Sequence, residues 1–312
     1  MNKRDVVLSL LDAGKKPAYT PAAFFLHFDP AFHRGQAGVE KHLEYFRYTG
    51  MDFVKIQYEA VFPHLDQMQT PDDWAKMPHY GKEFYSGQLE VVDGLVKAVK
   101  SEAPVVITLY SPFMCAGHTA GNDVLIRHIE EAPEKVQRGM EIITDSLMIF
   151  VKECIRLGVD GFYMSTQGGE EGRFSTPALF DRCVRPYDLT LMEEADRNCI
   201  FNILHVCDYS RPYGDVSRFK DYPGQVVNVN PKMIGKTLTA GEIERLFGRP
   251  YMGGLDRLGV LANGTPEQAR AAALEVLKDA PERFILAADC TVPSTTPWDN
   301  LKAAIEAAHG RR

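Results

Sequence analysis

Several features are missing from this 312-residue chain, and each gap excludes a class of function. No apolar run approaches the length of a membrane span, so an integral membrane protein is not expected. Basic residues are not in surplus. The formal net charge is −7, with Lys/Arg and Asp/Glu scattered along the chain, and no dedicated nucleic-acid surface is expected. The six cysteines are sparse and irregularly spaced, which argues against a disulfide framework and for reduced thiols in a cytoplasmic protein. The opening Met1–Lys16 reads as an amphipathic helix: its apolar stretch is short and broken by Asp12, unlike a signal peptide. There is no Gly-x-Gly-x-x-Gly after the first apolar strand and no Gly-x-x-x-x-Gly-Lys-Ser/Thr, which disfavours an open doubly wound nucleotide-binding sheet. Internal repeats, low-complexity tracts and interdomain linkers are also missing.

What remains is a regular alternation. Apolar residues make up 45% of the chain and charged residues 25%, values of a globular protein with a sizeable core. Nearly continuous apolar runs suit parallel strands covered on both faces. They lie at Ala22–Phe28, Asp52–Gln57, Pro104–Tyr110, Val159–Ser165, Phe201–Val206, Gln225–Val229, Pro250–Leu255 and Arg283–Ala288. Segments of helical period separate them: Gly38–Thr49, Gly87–Glu102, Ala132–Leu157, Thr176–Asp196, Thr239–Phe247, Thr265–Asp279 and Thr296–Ala308. Three of these open on Thr-Pro, an N-cap hydroxyl followed by a residue that suits the first helical turn. The pattern predicts an α/β fold, a single (β/α)₈ TIM barrel domain over 1–312 with an N-terminal helix. Phe62–Gly87, with three prolines, breaks the rhythm and reads as a long loop with short helical turns after the second strand, of the kind that usually shapes a barrel's site.

Chemistry concentrates at two strand ends. In Asn202-Ile-Leu-His205-Val-Cys207-Asp208 the His and Cys are two residues apart, so an extended strand points both side chains the same way. Cys290 follows the last candidate strand. A barrel collects the carboxyl ends of its strands at one mouth, so His205, Cys207 and Cys290 can converge on one ion. One imidazole and two thiolates suit Zn²⁺, and three protein ligands leave the fourth position open for catalysis. The alternative is that these are ordinary core residues, a buried cysteine being a small apolar side chain. Other strand-end residues are candidates for the same mouth. Glu59 and Glu170 are candidate catalytic groups, and either could supply a displaceable fourth ligand. His27, Ser165, Gln167, Asn230 and Asp256 are candidate substrate contacts, with Arg257 beside them.

Several stretches resemble the uroporphyrinogen decarboxylase superfamily over nearly the whole chain. They are Tyr110-Ser-Pro-Phe-Met114, Glu131-Ala-Pro-Glu-Lys-Val136, Leu157-Gly-Val-Asp-Gly-Phe162, Gly253-Gly-Leu-Asp-Arg257 with Asn263-Gly-Thr-Pro-Glu267, and Thr295-Thr-Pro-Trp-Asp-Asn300. His205-x-Cys207 with the distant Cys290 is similar to the ligand set of its zinc methyltransferase branch. That resemblance implies a zinc-dependent methyltransferase moving a methyl group between a corrinoid protein, or a similar donor, and a small thiol-type acceptor. The alternative is a metal-free lyase of the decarboxylase type acting on a tetrapyrrole or another small carboxylate. It is disfavoured because the Arg-rich segment of that branch is replaced by Phe24–Asp29, its catalytic Asp by the run Lys55–Glu59, and its late Gly-His by Asp289-Cys290. Asp208 departs from the Gly that methyltransferases commonly carry after the Cys.

Overall fold

The computed structural model describes residues 2–310. Seven parallel strands form one curled sheet: β1 (Val54–Ile56), β2 (Val105–Tyr110), β3 (Gly161–Thr166), β4 (Ile203–Val206), β5 (Val226–Val229), β8 (Tyr251–Leu255) and β9 (Phe284–Ala288). A two-stranded hairpin, β6 (Lys232–Met233) and β7 (Lys236–Thr237), sits between β5 and β8. Neighbours in the sheet follow chain order, as right-handed strand–helix–strand units require. The strands are buried on both faces, which explains their unbroken apolar composition.

The first expected strand, Ala22–Phe28, does not form a regular strand. It makes one isolated bridge, Ala22 to Leu286. Its backbone groups are divided between two sides. Leu286 N donates to the Pro21 carbonyl at 2.9 Å and Ala23 N to the Leu286 carbonyl at 3.1 Å. On the other side Asp52 N donates to the Ala22 carbonyl at 3.0 Å, and Ala22 N donates to the Asp52 carboxylate at 2.7 Å. Pro21 has no N–H to extend the ladder. The segment therefore spans the gap between β9 and β1 and closes the TIM-type barrel with a few bonds.

Two helical expectations also change. The stretch expected as one helix over Thr176–Asp196 is two, Pro177–Cys183 and Arg185–Asn198, broken at Val184. Pro186 cannot donate to the preceding turn, so the chain restarts there. After β2 the chain forms two helices that the periodicity did not indicate, Pro112–Ala120 and Asn122–Glu131. The long segment after β1 has the short helical turns expected of it, but none of its residues lines the cavity described below. It contains two 3₁₀ turns, Pro71–Lys76 and Lys82–Tyr85, and its Trp74 is fully buried, with the indole N–H donating to His128 at 3.1 Å. No helix among the described residues is long and apolar enough to cross a membrane.

Gly161 begins β3 where the backbone of the next unit comes very close. A Cβ there would lie 1.9 Å from the Phe201 carbonyl oxygen. Gly161→Ala must displace backbone, so we expect a loss of at least ~1–3 kcal/mol, read from equilibrium urea unfolding. An unchanged midpoint would contradict the register of β3 and β4.

Candidate metal centre at the barrel mouth

The site is built on the carboxyl ends of β4 and β9. His205 pairs with Ser165 of β3 and Asn228 of β5 in the ladder, and its ring stacks on Tyr163 with centroids 4.7 Å apart. Cys207 lies just past β4, and its N–H still donates to the Thr166 carbonyl at 3.0 Å. Cys290 follows Asp289, whose N–H donates to the Leu255 carbonyl at 2.9 Å. One ligand atom from each of His205, Cys207 and Cys290 lies within 4.8 Å of the others. Cys290 Sγ is 3.4 Å from His205 Nε2.

The electrostatics favour a metal. Hydrogen bonding from Cys290 holds the Cys207 thiol well below the usual range against the effect of burial, with further help from His205 and Gln167. Gln167 Nε2 donates to Cys207 Sγ at 3.3 Å. The Cys290 thiol is pushed up, chiefly because it is the donor in that pair. His205 is buried and its Nδ1 has no hydrogen-bond partner. Two neighbouring thiols beside an imidazole whose Nδ1 is unpartnered form a donor set that fits a divalent ion of zinc's softness.

A single guanidinium ties the two cysteine-bearing loops together. Arg257 Nη1 lies 2.5 Å from Asp289 Oδ2 and 3.1 Å from Asp208 Oδ1. Its backbone N–H also donates to Asp289 Oδ1 at 2.6 Å. Asp208 follows Cys207 and Asp289 precedes Cys290 in sequence. Asn230 completes the bracket, its amide donating to Asp208 at 2.7 Å. Asp208 therefore anchors the site where the resemblance leads one to expect Gly.

A cavity of about 640 Å³ opens beside these residues. His27, Ser165 and Gln167, expected at the mouth, line it together with His205, Cys207 and Cys290. Glu59 stands behind His27, accepting from its Nδ1 at 2.8 Å, with His33 at 3.5 Å on the other oxygen. Glu59, expected as a catalytic group or fourth ligand, therefore does not itself line the cavity, and three other expected residues are also placed elsewhere. Glu170, expected as a catalytic group or fourth ligand, is buried, and both its oxygens are bound by Arg173 at 2.9 and 3.0 Å. It also accepts from Gly168 N–H at 2.7 Å, so it orders its loop and does not reach the cavity. Asn230 serves the bracket, and Asp256 pairs with Lys232 at 2.7 Å.

The cavity also contains residues to which the sequence assigned no role. Met114, His118 and Asn122 come from the helices after β2, whose start was signalled by Ser111-Pro112, a capping hydroxyl before proline. Lys55 and Gln57 come from β1 and its end, where a charged side chain interrupts an apolar run.

With this geometry in view, comparison with known proteins becomes specific. The family model for uroporphyrinogen decarboxylase (URO-D) matches residues 48–311, and the chain belongs to that family. Among curated proteins it is similar to the Methylcobamide:CoM methyltransferase MtbA of Methanosarcina mazei, 26% identical over 82% of this chain and 73% of that protein. It is also 26% identical to a Methylated-thiol--coenzyme M methyltransferase of the same organism, over 70% of this chain but 56% of that protein. Among solved structures, a methyltransferase from Methanosarcina mazei superposes with a TM-score of 0.75, covering 99% of this chain and 98% of that one at 16% identity, which supports the fold. The named relatives indicate a methyltransferase, and the solved neighbour bears on the fold alone.

The bracket makes a direct prediction. Arg257→Ala leaves buried Asp289 and half-buried Asp208 facing each other without their cation, which should cost up to about 3–5 kcal/mol in chemical denaturation. Arg257→Lys should recover only part of that, because an ammonium lacks the planar fork. Full stability in Arg257→Ala would show that the loops hold their separation without it.

Proposed function

We propose that this member of the uroporphyrinogen decarboxylase family is a zinc-dependent methyltransferase, a single barrel domain over residues 1–312. It would move a methyl group between a corrinoid, or a similar donor, and a small thiol-type acceptor. The observation that carries the reading is the convergence of one imidazole and two thiols within 4.8 Å at the wall of the cavity. The relatives' names, which mention methylcobamide, coenzyme M and methylated thiols, point to the same pair of substrates.

His205, Cys207 and Cys290 would hold the ion. A zinc ion held there by three protein ligands would leave one position open and would supply the charge that favours the anionic, nucleophilic form of an acceptor sulfur. The chain's own residues do the rest. Gln167 steadies the Cys207 sulfur, and the Arg257 bracket sets the distance between the two cysteine loops. Glu59 accepts the His27 Nδ1 proton and so leaves Nε2 as the proton acceptor. In this reading the acceptor's S–H proton passes to His27 Nε2. The methyl group then joins the sulfur, and the donor keeps the electron pair of the bond it loses. Ser165 of β3 lines the same wall and would orient the acceptor. A decarboxylase role draws no support from the cavity: Arg257 is its one arginine, and that residue is already bound to Asp208 and Asp289.

Protein purified without chelator should carry about one zinc per chain, measured by mass spectrometry of the metal. Cys290→Ala should lose the ion and the methyl transfer from methylcobalamin to a thiol, yet unfold at nearly the same temperature, since the barrel has its own core. Cys154, buried far along the chain in the helix Pro133–Leu157, should be replaceable by Ala without loss of zinc. Metal-free protein with full transfer activity would refute the reading.

A further inference from the structure

Lys55 is the least expected residue in the barrel. It sits in the middle of β1, is 5% exposed, and lines the same cavity as Cys207 and Cys290. Its ammonium lies over the rings of Tyr163, at 4.4 Å, and Phe25, at 4.8 Å. Tyr163 in turn is the ring on which His205 stacks. The one hydrogen bond it makes to a side chain goes to Gln57 Oε1, at 2.6 Å, and Gln57 is held by Thr108 at 3.2 Å and Thr291 at 3.4 Å. Among the described residues no carboxylate forms a salt bridge with Lys55, and no Asp or Glu lines the cavity. Glu59 is spent on His27 and His33.

A buried ammonium with no anion beside it is costly, and ring faces and one amide offset only part of that cost. Burial pulls its pKa down to about 7, while the charges of Cys290, Glu59 and Cys207 pull it back up. The position therefore suits a state of the site that carries extra negative charge. A divalent ion with two thiolates and a neutral imidazole has no net charge. An acceptor bound as thiolate adds one negative charge, which Lys55 neutralises. A methylated acceptor is a neutral thioether and leaves the ammonium unpaired again.

We propose that Lys55 is the countercharge that makes the cavity prefer an acceptor thiolate over its methyl thioether, so that methylation itself weakens the hold on the product. This rests on the zinc–thiol reading above and adds a selectivity residue to it. Lys55 would act through its charge on the bound sulfur and not by coordinating the ion.

The test uses full-length protein loaded with cobalt(II) in place of zinc; Cys207 and Cys290 give a near-ultraviolet charge-transfer band of their own, and its increase on adding ligand reports an additional bound thiolate. Mercaptoethanol and its S-methyl ether are titrated into the wild type, Lys55→Met and Lys55→Gln, the ether by competition. Lys55→Met should bind the thiolate about tenfold or more weakly, while ether affinity stays within about twofold. Lys55→Gln should behave alike. Thermal unfolding should show Lys55→Met at least as stable as the wild type, because an unpaired buried charge has been replaced by an apolar chain of similar length. If both ligands weaken equally, Lys55 only shapes the cavity and the inference fails. If neither ligand is affected in either variant while the wild type binds thiol, the inference alone fails. If the band of cobalt-loaded wild type does not grow when mercaptoethanol is added, the acceptor reading fails and takes this inference with it.

Discussion

The ring of strands has to close for the site to exist. His205 and Cys207 come from β4 and Cys290 from beyond β9, with β5 and β8 between them in the sheet. Only the curl of the sheet, completed where Pro21–Ala23 bridges β9 to Asp52, two residues before β1, brings those ends to one mouth. Closure by itself positions a ligand no better than the loops that carry it. The Arg257 bracket supplies the finer constraint, gripping the residue after one cysteine and the residue before the other. A metal placed on side chains so remote in sequence needs that kind of support from the groups behind them.

Charge in the interior is arranged economically. Acids near the mouth are each committed: Asp208 and Asp289 to Arg257, Glu170 to Arg173, Glu59 to two histidines. The cavity wall is thereby cleared of carboxylates, and Lys55 is left as a cation without a salt bridge among the described residues. Such a surface repels the polycarboxylate binding of a decarboxylase less through charge sign than through the lack of free guanidinium forks, since its one arginine is already engaged. It leaves the sulfur pair as the focus of the cavity's chemistry.

Much of this was legible in the sequence, for identifiable reasons. Strands buried on both faces announce themselves as apolar runs, and capped helices announce their starts, so the barrel could be read from β1 to β9. The spacing of His205 and Cys207 is visible because strand geometry has a period of two. Other features depend on contacts that periodicity does not encode. Ala22–Phe28 has a strand's composition but divides its hydrogen bonds between Leu286 and Asp52. Glu170 follows a strand as catalytic acids do, yet Arg173, three residues onward in the same loop, captures it. Pro186 was in plain sight and should have ended the helix expected through it. Lys55 stood out only as a charge in an apolar run, and its meaning required the cavity.

The central claim is that three side chains hold one zinc ion and leave one position for the acceptor sulfur. X-ray absorption at the zinc edge measures this most directly. The resting protein should show two sulfurs at about 2.3 Å and one nitrogen with one further light atom at about 2.0–2.2 Å. Addition of a thiol acceptor that the protein methylates should raise the sulfur count to three. A zinc shell that stays unchanged while that thiol is turned over would contradict the account and leave the ion as a support for the barrel mouth.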